Sequence, residues 1–108
     1  MRDIRNIRSL VERVKRGLVD LHGNGIKEVL VYGSFARGNA TDDSDIDIAV
    51  IVDASMSPPE VESSISDLLF EILIEDGELV SLIAIPEEMY REYDSPFLMN
   101  ARVEAVTV

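Results

Sequence analysis

The chain has 108 residues, of which 46% are hydrophobic, which predicts one domain over residues 1–108 and leaves too little apolar material for two separate cores. It has no cysteine and one histidine, so disulfides and thiolate metal sites are excluded and any metal must be held by oxygen atoms. The net charge of −11 disfavours stable binding to long nucleic acid and favours a basic partner protein or a cation-bridged nucleotide.

The charges are distributed unevenly along the chain. Six of the ten basic residues lie within the first sixteen positions, whereas Asp42 to Asp94 contains sixteen acidic residues and one basic residue, Arg91. The first segment alternates charged and aliphatic residues, unlike a signal peptide, and no apolar run reaches the ~18 residues that a membrane-spanning helix needs. We therefore expect a cytoplasmic protein that does not bind membranes, with the N-terminal basic residues on the solvent face of a helix.

The first part of the chain predicts a helix followed by a strand. Apolar residues recur at steps of three and four across residues 3–22, as in an amphipathic helix: Ile4, Ile7, Val11, Val14, Leu18 and Leu21. We expect "HGNG" at 22–25 to end this helix, with Gly23 and Gly25 forming a left-handed cap and a turn. The β-branched run "IKEVLVY" then predicts the first strand at about 26–32.

The next segment leads to a second strand. "SFARG" has room for one helical turn, and the polar loop "NATDDS" delivers the chain to "DIDIAVIV" at 45–52. This run is apolar enough to be a central strand. Because the link between the two strands is too short for a full crossover helix, we expect them to pair antiparallel.

The rest of the chain predicts helix, strand, helix, helix. Ser57 with the two prolines that follow it begins a long helix that ends near Asp76-Gly77. "ELVSLIAI" at 78–85 reads as the third strand, "PEEMYREY" as a short helix and "SPFLMNARVEAV" as a last helix. The alternation of elements predicts an α/β fold with a small mixed sheet flanked by helices. Phe97 and its neighbouring aromatic and methionine residues are expected to pack, or to form an apolar patch for a partner.

Two aspartates on the second strand require an explanation. Side chains alternate faces along a strand, so Asp45 and Asp47 point the same way and would repel each other. A divalent cation such as Mg²⁺ removes this conflict because it takes carboxylate, water and phosphate oxygens as ligands. Two such ions can together hold the attacking and leaving oxygens of a phosphoryl-group displacement. We therefore interpret Asp45 and Asp47 as metal ligands.

The turn before the aspartates suits a phosphate group. Gly33 allows the backbone to turn sharply and approach a ligand, and Ser34 opens a helical turn whose free N–H groups favour an anion. Arg37, one turn later, either neutralises phosphate charge or is an ordinary surface residue. Each feature alone is common; their combination at this spacing predicts a nucleotide site formed by Gly33, Ser34 and Arg37.

Gly33-Ser34, ten intervening residues and Asp45-Ile46-Asp47 resemble the signature of the DNA polymerase β-like nucleotidyltransferase superfamily, and in so short a chain its minimal nucleotidyltransferase group. The resemblance implies a mixed α/β fold and transfer of a nucleoside monophosphate, most simply AMP from ATP, with two Mg²⁺. It also implies an antitoxin that acts with a HEPN-type partner protein. Without a domain for the acceptor, a separate protein or a second copy of the chain, as in a homodimer, must complete the site.

The same resemblance implies a third carboxylate on a following strand, which helps to bind metal and activates the attacking hydroxyl. Glu78, at the edge of "ELVSLIAI", is the candidate for this catalytic role beside Asp45 and Asp47, and Ser81 stands where an acid would be expected. Two main hypotheses remain open: an enzyme that modifies a hydroxyl of a partner macromolecule, or a weakly active or inactive module that neutralises a partner by binding. A nucleotide sensor without turnover is a third.

Overall fold

A mixed four-stranded sheet is the central element of the computed structural model, which describes residues 1–108. Six helices accompany the sheet, and a short 3₁₀ turn, Gly23–Gly25, links the first helix to the first strand. In chain order the helices and strands are α1 (Ile4–His22), β1 (Ile26–Tyr32), α2 (Ser34–Arg37), β2 (Ile46–Val52), α3 (Pro58–Ser64), α4 (Ser66–Asp76), β3 (Val80–Pro86), α5 (Glu87–Glu92), α6 (Pro96–Glu104) and β4 (Val106–Thr107).

Pairing in the sheet follows the order β3-β2-β1-β4. β1 pairs antiparallel with β2, so the predicted antiparallel pair and mixed sheet are confirmed. β2 is central and pairs in parallel with β3, whereas β4 pairs antiparallel with the other edge of β1. The α/β fold expected from the order of elements is therefore the observed fold.

The first helix, α1, is defined by a cap at each end and by an apolar face. Asp3 caps it: its carboxylate accepts a hydrogen bond from the Arg5 backbone N–H at 2.9 Å, and Asn6 Oδ1 accepts one from the Asp3 N–H at 2.8 Å. Four residues of its apolar stripe are buried in the larger core, Ile7, Val11, Val14 and Leu18, whereas Leu21, expected in the same stripe, is 57% exposed. The helix ends at Gly23, whose φ of 56° few other residues adopt. Gly25 lacks a positive φ; a side chain there would instead collide with Met56, whose sulfur lies 2.6 Å from the position of a Cβ.

The two faces of the sheet are covered unequally. α1, α3 and α4 pack on one face around the even-numbered residues of β2, in a core of sixteen buried residues. α5 and α6 pack on the other face in a cluster of five buried residues, which includes Ala49 and Ile51 from β2 and Leu98 from α6. Because strand residues alternate faces, Asp47 lies on the face with the smaller cluster.

One long helix was expected between Ser57 and Gly77, and this prediction is wrong at Ile65, which separates α3 from α4 with φ −102° and ψ −2°. The Ser64 hydroxyl donates to the Val61 carbonyl at 2.7 Å, and the Ser66 hydroxyl donates to the Ser63 carbonyl at 2.8 Å. Serine side chains that bond the backbone in this way compete with the helical ladder and bend the helix.

Three boundaries differ from the sequence expectations. β2 begins at Ile46, so Asp45 is the last residue of the preceding loop, and β3 begins at Val80, so Glu78 lies outside the strand. The last helix ends at Glu104, and the two residues after Ala105 form β4, which was not predicted. A pair of residues carries too little periodicity to be recognised as a strand. No helix is both long and apolar enough to cross a membrane.

Candidate active site

Pairing between β1 and β2 brings the glycine-serine turn against the second aspartate. Tyr32, the last residue of β1, pairs with Asp47. Gly33 follows with φ 76° and ψ −151°, a conformation that is essentially restricted to glycine. A Cβ built on Gly33 would overlap Oδ2 of Asp47 and lie 3.3 Å from its Cγ. Glycine at this position therefore allows the turn to pass directly over the carboxylate.

The single turn of α2 is fixed by contacts of Phe35 and of the N-terminal residue Arg2. Phe35 is 1% exposed and anchors the turn in the larger core, and the Arg2 guanidinium lies 5.1 Å from the centre of its ring. Arg2 also exchanges backbone hydrogen bonds with Ala40, of 2.7 and 3.1 Å. Gly38 ends the turn in a left-handed conformation. Ser34 consequently begins a helical turn whose first N–H groups have no partner within the helix.

The loop before β2 sets the position of Asp45. The Thr41 N–H donates to Oγ of Ser44 at 2.9 Å, and the Asp43 N–H donates to Oγ1 of Thr41 at 3.3 Å. Asp42 and Asp43 are exposed in this turn, as expected of a solvated loop. The chain then enters β2 with Asp45 exposed and Asp47 half-buried, two residues apart.

The electrostatics of the aspartate pair show unbalanced negative charge. Burial raises the pKa of Asp47 above its usual value, the charge of Asp45 raises it further, and Arg37 opposes the change. Burial also raises the pKa of Tyr32, with a contribution from the charge of Asp47. Arg37 alone therefore does not balance the negative charge of the two aspartates, and a bound cation would do so.

The donor set fits magnesium. The two carboxylates lie on one side of the start of β2, next to the turn of Gly33. They leave the other ligand positions of a metal ion to water and phosphate oxygens, which is how Mg²⁺ is commonly bound. No group of three or more His, Cys, Asp or Glu side chains is positioned to hold a metal ion. Asp45 and Asp47 would be the only protein side chains of this type around such an ion.

Glu78 is not brought to the aspartates, and in this respect the structure differs from the sequence expectation. Its Oε1 lies 3.0 Å from Nη2 of Arg2, and it shares a groove along α1 with Arg13 and Asp76. α1 covers the sheet face opposite to the one that carries Asp47. Because β3 starts two residues after Glu78, this residue belongs to the preceding loop, and its side chain lies toward α1.

Ser81 occupies the position beside Asp47 on β3. The parallel register pairs Ser81 with Asp47, and paired residues on neighbouring strands share a face. Ser81 is exposed. The strand that follows Asp47 thus presents a hydroxyl, not a carboxylate, toward the site.

α6 contributes a wall of the site that the sequence does not predict. A cavity of about 230 Å³ adjoins Gly33 and Arg37, and α6 forms its other wall. Arg37 Nη1 lies 3.2 Å from Oε1 of Glu104 on α6, and Phe97 packs edge-on against Tyr32 with ring centres 5.3 Å apart. No local signal indicates this wall, because it depends on β4 pairing with β1 some seventy-five residues earlier in the chain, Leu30 with Thr107 and Val31 with Val106.

Known proteins share sequence and fold with this chain. The family model described as nucleotidyltransferase domain matches residues 11–102, which is most of the chain. A candidate protein adenylyltransferase of Methanocaldococcus jannaschii is 31% identical over 67 residues, which cover 62% of this chain. The aligned region spans 61% of the length of that relative.

Solved structures share the fold. A candidate nucleotidyltransferase from Sulfolobus solfataricus has a TM-score of 0.65 at 20% identity, covering 94% of this chain and 78% of its own. A candidate minimal nucleotidyltransferase has a TM-score of 0.64 at 24% identity, covering 98% and 96%. A toxin–antitoxin crystallised with AMP-PNP has a TM-score of 0.59 at 18% identity, covering 89% and 70%.

The contact between Gly33 and Asp47 makes a prediction about stability. We expect Gly33→Ala to lower the free energy of unfolding by at least ~2 kcal/mol, because the new methyl group meets the Asp47 carboxylate and the backbone conformation is unfavourable for alanine. Gly38→Ala is the matched control: it also has a positive φ, of 78°, but nothing lies within 4 Å of its Cβ, so it should cost about 1 kcal/mol. Urea denaturation measures both, and equal losses would contradict the proposed contact.

The raised pKa of Asp47 predicts a pH dependence in metal-free protein. Since the folded state holds this proton more tightly than the unfolded chain, the free energy of unfolding falls as pH rises from the ordinary carboxyl pKa of 3.8 through the raised pKa of the folded state. Asp47→Asn removes this loss, so the variant should be more stable than the wild type at pH 7 and match it near pH 3. Urea denaturation in EDTA across this range tests the prediction; a constant difference between the two proteins would contradict it.

Proposed function

Because this chain belongs to the nucleotidyltransferase domain family, we propose that it is a single-domain, Mg²⁺-dependent enzyme that transfers AMP from ATP to a hydroxyl of a partner protein. One observation carries this proposal: the Gly33 turn lies directly over the Asp47 carboxylate, with Asp45 two residues before it. This proximity of the turn to the aspartates supports the proposal, because a nucleoside triphosphate bridged by a cation needs its phosphate-binding turn next to the metal ligands.

In this mechanism Asp45 and Asp47 would hold magnesium, and Gly33 and Ser34 would bind the triphosphate through the backbone N–H groups of the turn. The chemistry that bound magnesium supplies is neutralisation of the phosphate charge and activation of the attacking oxygen. Arg37 contributes positive charge on the same side, as its effect on the pKa of Asp47 indicates.

The reaction forms a bond between the acceptor oxygen and the α-phosphorus and breaks the bond from that phosphorus to the bridging oxygen, so pyrophosphate leaves. The hydroxyl proton is lost to solvent or to the acceptor protein, because Ser81 offers no carboxylate to take it. The protein's own contribution is therefore positioning and electrostatic stabilisation more than proton transfer.

Adenylate as the transferred group is supported by the relative described as a candidate protein adenylyltransferase. The toxin–antitoxin of similar fold supports a toxin as the partner, and we propose a HEPN-type protein in that role. The surface agrees with a protein partner: Met89 on α5, Tyr93 at the end of α5 and Met99 on α6 are exposed large apolar residues, and the chain is strongly acidic from Asp42 to Asp94.

A second candidate function is neutralisation of the partner by binding, with nucleotide bound but little or no transfer. Ser81 is the observation that favours it, because the position beside Asp47 lacks a general base. Such a base typically contributes ~10²- to 10⁴-fold to the rate. The two functions differ in whether the aspartates are needed for silencing of the toxin.

The first prediction of this proposal concerns the aspartates. With α-phosphate-labelled ATP, Mg²⁺ and the co-expressed partner protein, Asp45→Asn and Asp47→Asn should each lower labelling by at least ~10²-fold, because each removes a charged ligand from the metal site. Asp42→Asn, in the exposed turn just before them, is the matched control and should label normally. Normal labelling by both site variants would overturn the proposed mechanism, and silencing that persists without labelling would favour the binding function.

The second prediction concerns Ser81. Placing a carboxylate beside Asp47 by Ser81→Asp should raise the labelling rate by ~10-fold or more, because the new group can accept the proton of the attacking hydroxyl. Ser81→Asn has nearly the same shape without the charge, and it should leave the rate unchanged. A rate for Ser81→Asp no higher than that of Ser81→Asn would show that this position does not face the acceptor.

A further inference from the structure

Arg2 contacts segments that are far apart in the chain. Its guanidinium lies 5.1 Å from the ring centre of Phe35 in the α2 turn, and its Nη2 lies 3.0 Å from Oε1 of Glu78 in the loop before β3. Its backbone exchanges hydrogen bonds of 2.7 and 3.1 Å with Ala40, which is fully buried. One arginine thus joins the turn that contains Ser34 to the loop that leads into β3.

The segment that carries Glu78 is bonded in turn to the other half of the candidate site. The Ile46 N–H, directly after Asp45, donates to the carbonyl of Leu79 at 2.9 Å. Leu79 follows Glu78 in the chain, and Ile46 is the first residue of β2. A path of direct contacts therefore runs from the α2 turn through Arg2 and Glu78 to the start of β2.

The ion pair in this path differs from the others in its burial. It is the least exposed ion pair of the protein, with 24% of the Arg2 side chain and 17% of the Glu78 side chain accessible. The second carboxylate oxygen of Glu78, Oε2, is buried and has no hydrogen-bond partner. Because a buried carboxylate is costly to leave unpaired, Arg2 is the group that holds Glu78 in this position.

Strand pairing does not fix the whole site. The ladder between β1 and β2 ends at the pair of Tyr32 and Asp47. Ser34 lies beyond the end of β1 and Asp45 lies before the start of β2, so both depend on contacts outside this ladder. Local opening of either segment would change the separation of Ser34 and Asp45 while the sheet stays intact.

We propose that Arg2 and Glu78 are positioning residues that fix the α2 turn relative to the start of β2. The inference rests on the proposed function, in which the turn binds the triphosphate and the start of β2 binds magnesium. Neither residue touches these groups. A fixed separation of the two halves lowers the cost of ordering them when nucleotide binds. Glu78 thus serves the site through its ion pair, although it lies away from the aspartates.

Hydrogen exchange in the ligand-free protein tests the positioning directly. Arg2→Met keeps an apolar side chain over Phe35 but removes the charge, so the turn and the start of β2 should both open more often. We expect the amides of residues 37–39, which bond within the turn, and that of Ile46 to exchange ~10-fold faster. Amides in the middle of β2 should change less. Arg8→Met removes the same charge from an exposed position on α1 and should change none of these rates.

Two more variants separate a specific role from a general loss of stability. Arg2→Lys keeps a cation that can pair with Glu78, but not the planar group that also covers Phe35, so its exchange rates should lie between those of the wild type and Arg2→Met. Ser57→Ala removes the N-cap of α3 and lowers the stability of the whole fold without touching this path. It should not accelerate exchange at residues 37–39 more than in the middle of β2.

Binding of a non-hydrolysable ATP analogue with Mg²⁺, measured by titration calorimetry, tests the consequence for the site. Arg2→Met should lower the affinity by ~10-fold, because binding must then order the two halves. Glu78→Gln should lower it by a smaller factor, since the amide still accepts a hydrogen bond from Arg2. Arg8→Met and Ser57→Ala should bind the analogue as the wild type does.

The outcomes separate this inference from the proposed function. If Arg2→Met accelerates exchange no more at residues 37–39 and Ile46 than in the middle of β2, or binds the analogue as tightly as the wild type, the positioning role is wrong while the proposed function stands. If no analogue binds the wild-type chain, the proposed function fails, and exchange in the ligand-free protein still decides whether Arg2 holds the turn. Faster exchange in both segments together with weaker binding supports the assignment.

Discussion

The candidate site depends on one close approach, between the backbone of Gly33 and the carboxylate of Asp47. The antiparallel register of β1 and β2 creates this approach, because it pairs Tyr32 with Asp47 and leaves Gly33 as the first residue beyond the strand. A slip of one residue would move Asp47 to the opposite face, among the packed side chains of the larger core. The apolar residues that fix the register therefore also fix the distance between the Gly33 turn and Asp47.

The unequal cover of the sheet explains how the site can exist in so small a protein. Sixteen buried residues under α1, α3 and α4 supply most of the packing, whereas the face with Asp47 has a cluster of five. A strained glycine turn and two like charges each cost stability, and such features persist where the surrounding structure determines the conformation. Phe35 links the two regions, since it is buried in the larger core while the turn that contains it borders the site.

Much of this arrangement could be predicted from the sequence, and its limits have physical causes. The bounds of β1, the turn at Ser34 and the pairing of the first two strands follow from local patterns and from the length of the link between them. The break at Ile65 depends on the hydrogen bonds that two serine hydroxyls donate to backbone carbonyls, and the spacing of hydrophobic residues does not predict these bonds. The α6 wall depends on a two-residue strand that pairs with a distant one, so no window of sequence contains it.

Under the proposed function, Ser81 would determine how the catalytic groups are divided between this chain and a partner. A site that would position nucleotide and metal, with no carboxylate beside Asp47 on β3, would lack a proton acceptor where the acceptor hydroxyl would enter. Glu78 does not compensate, because its ion pair with Arg2 directs it toward α1. The reaction would then be fast only when the acceptor protein itself brings the proton acceptor or excludes water around the hydroxyl. Slow transfer in isolation and efficient transfer within a complex would follow from this single position on β3, since catalytic power would depend on docking of the partner.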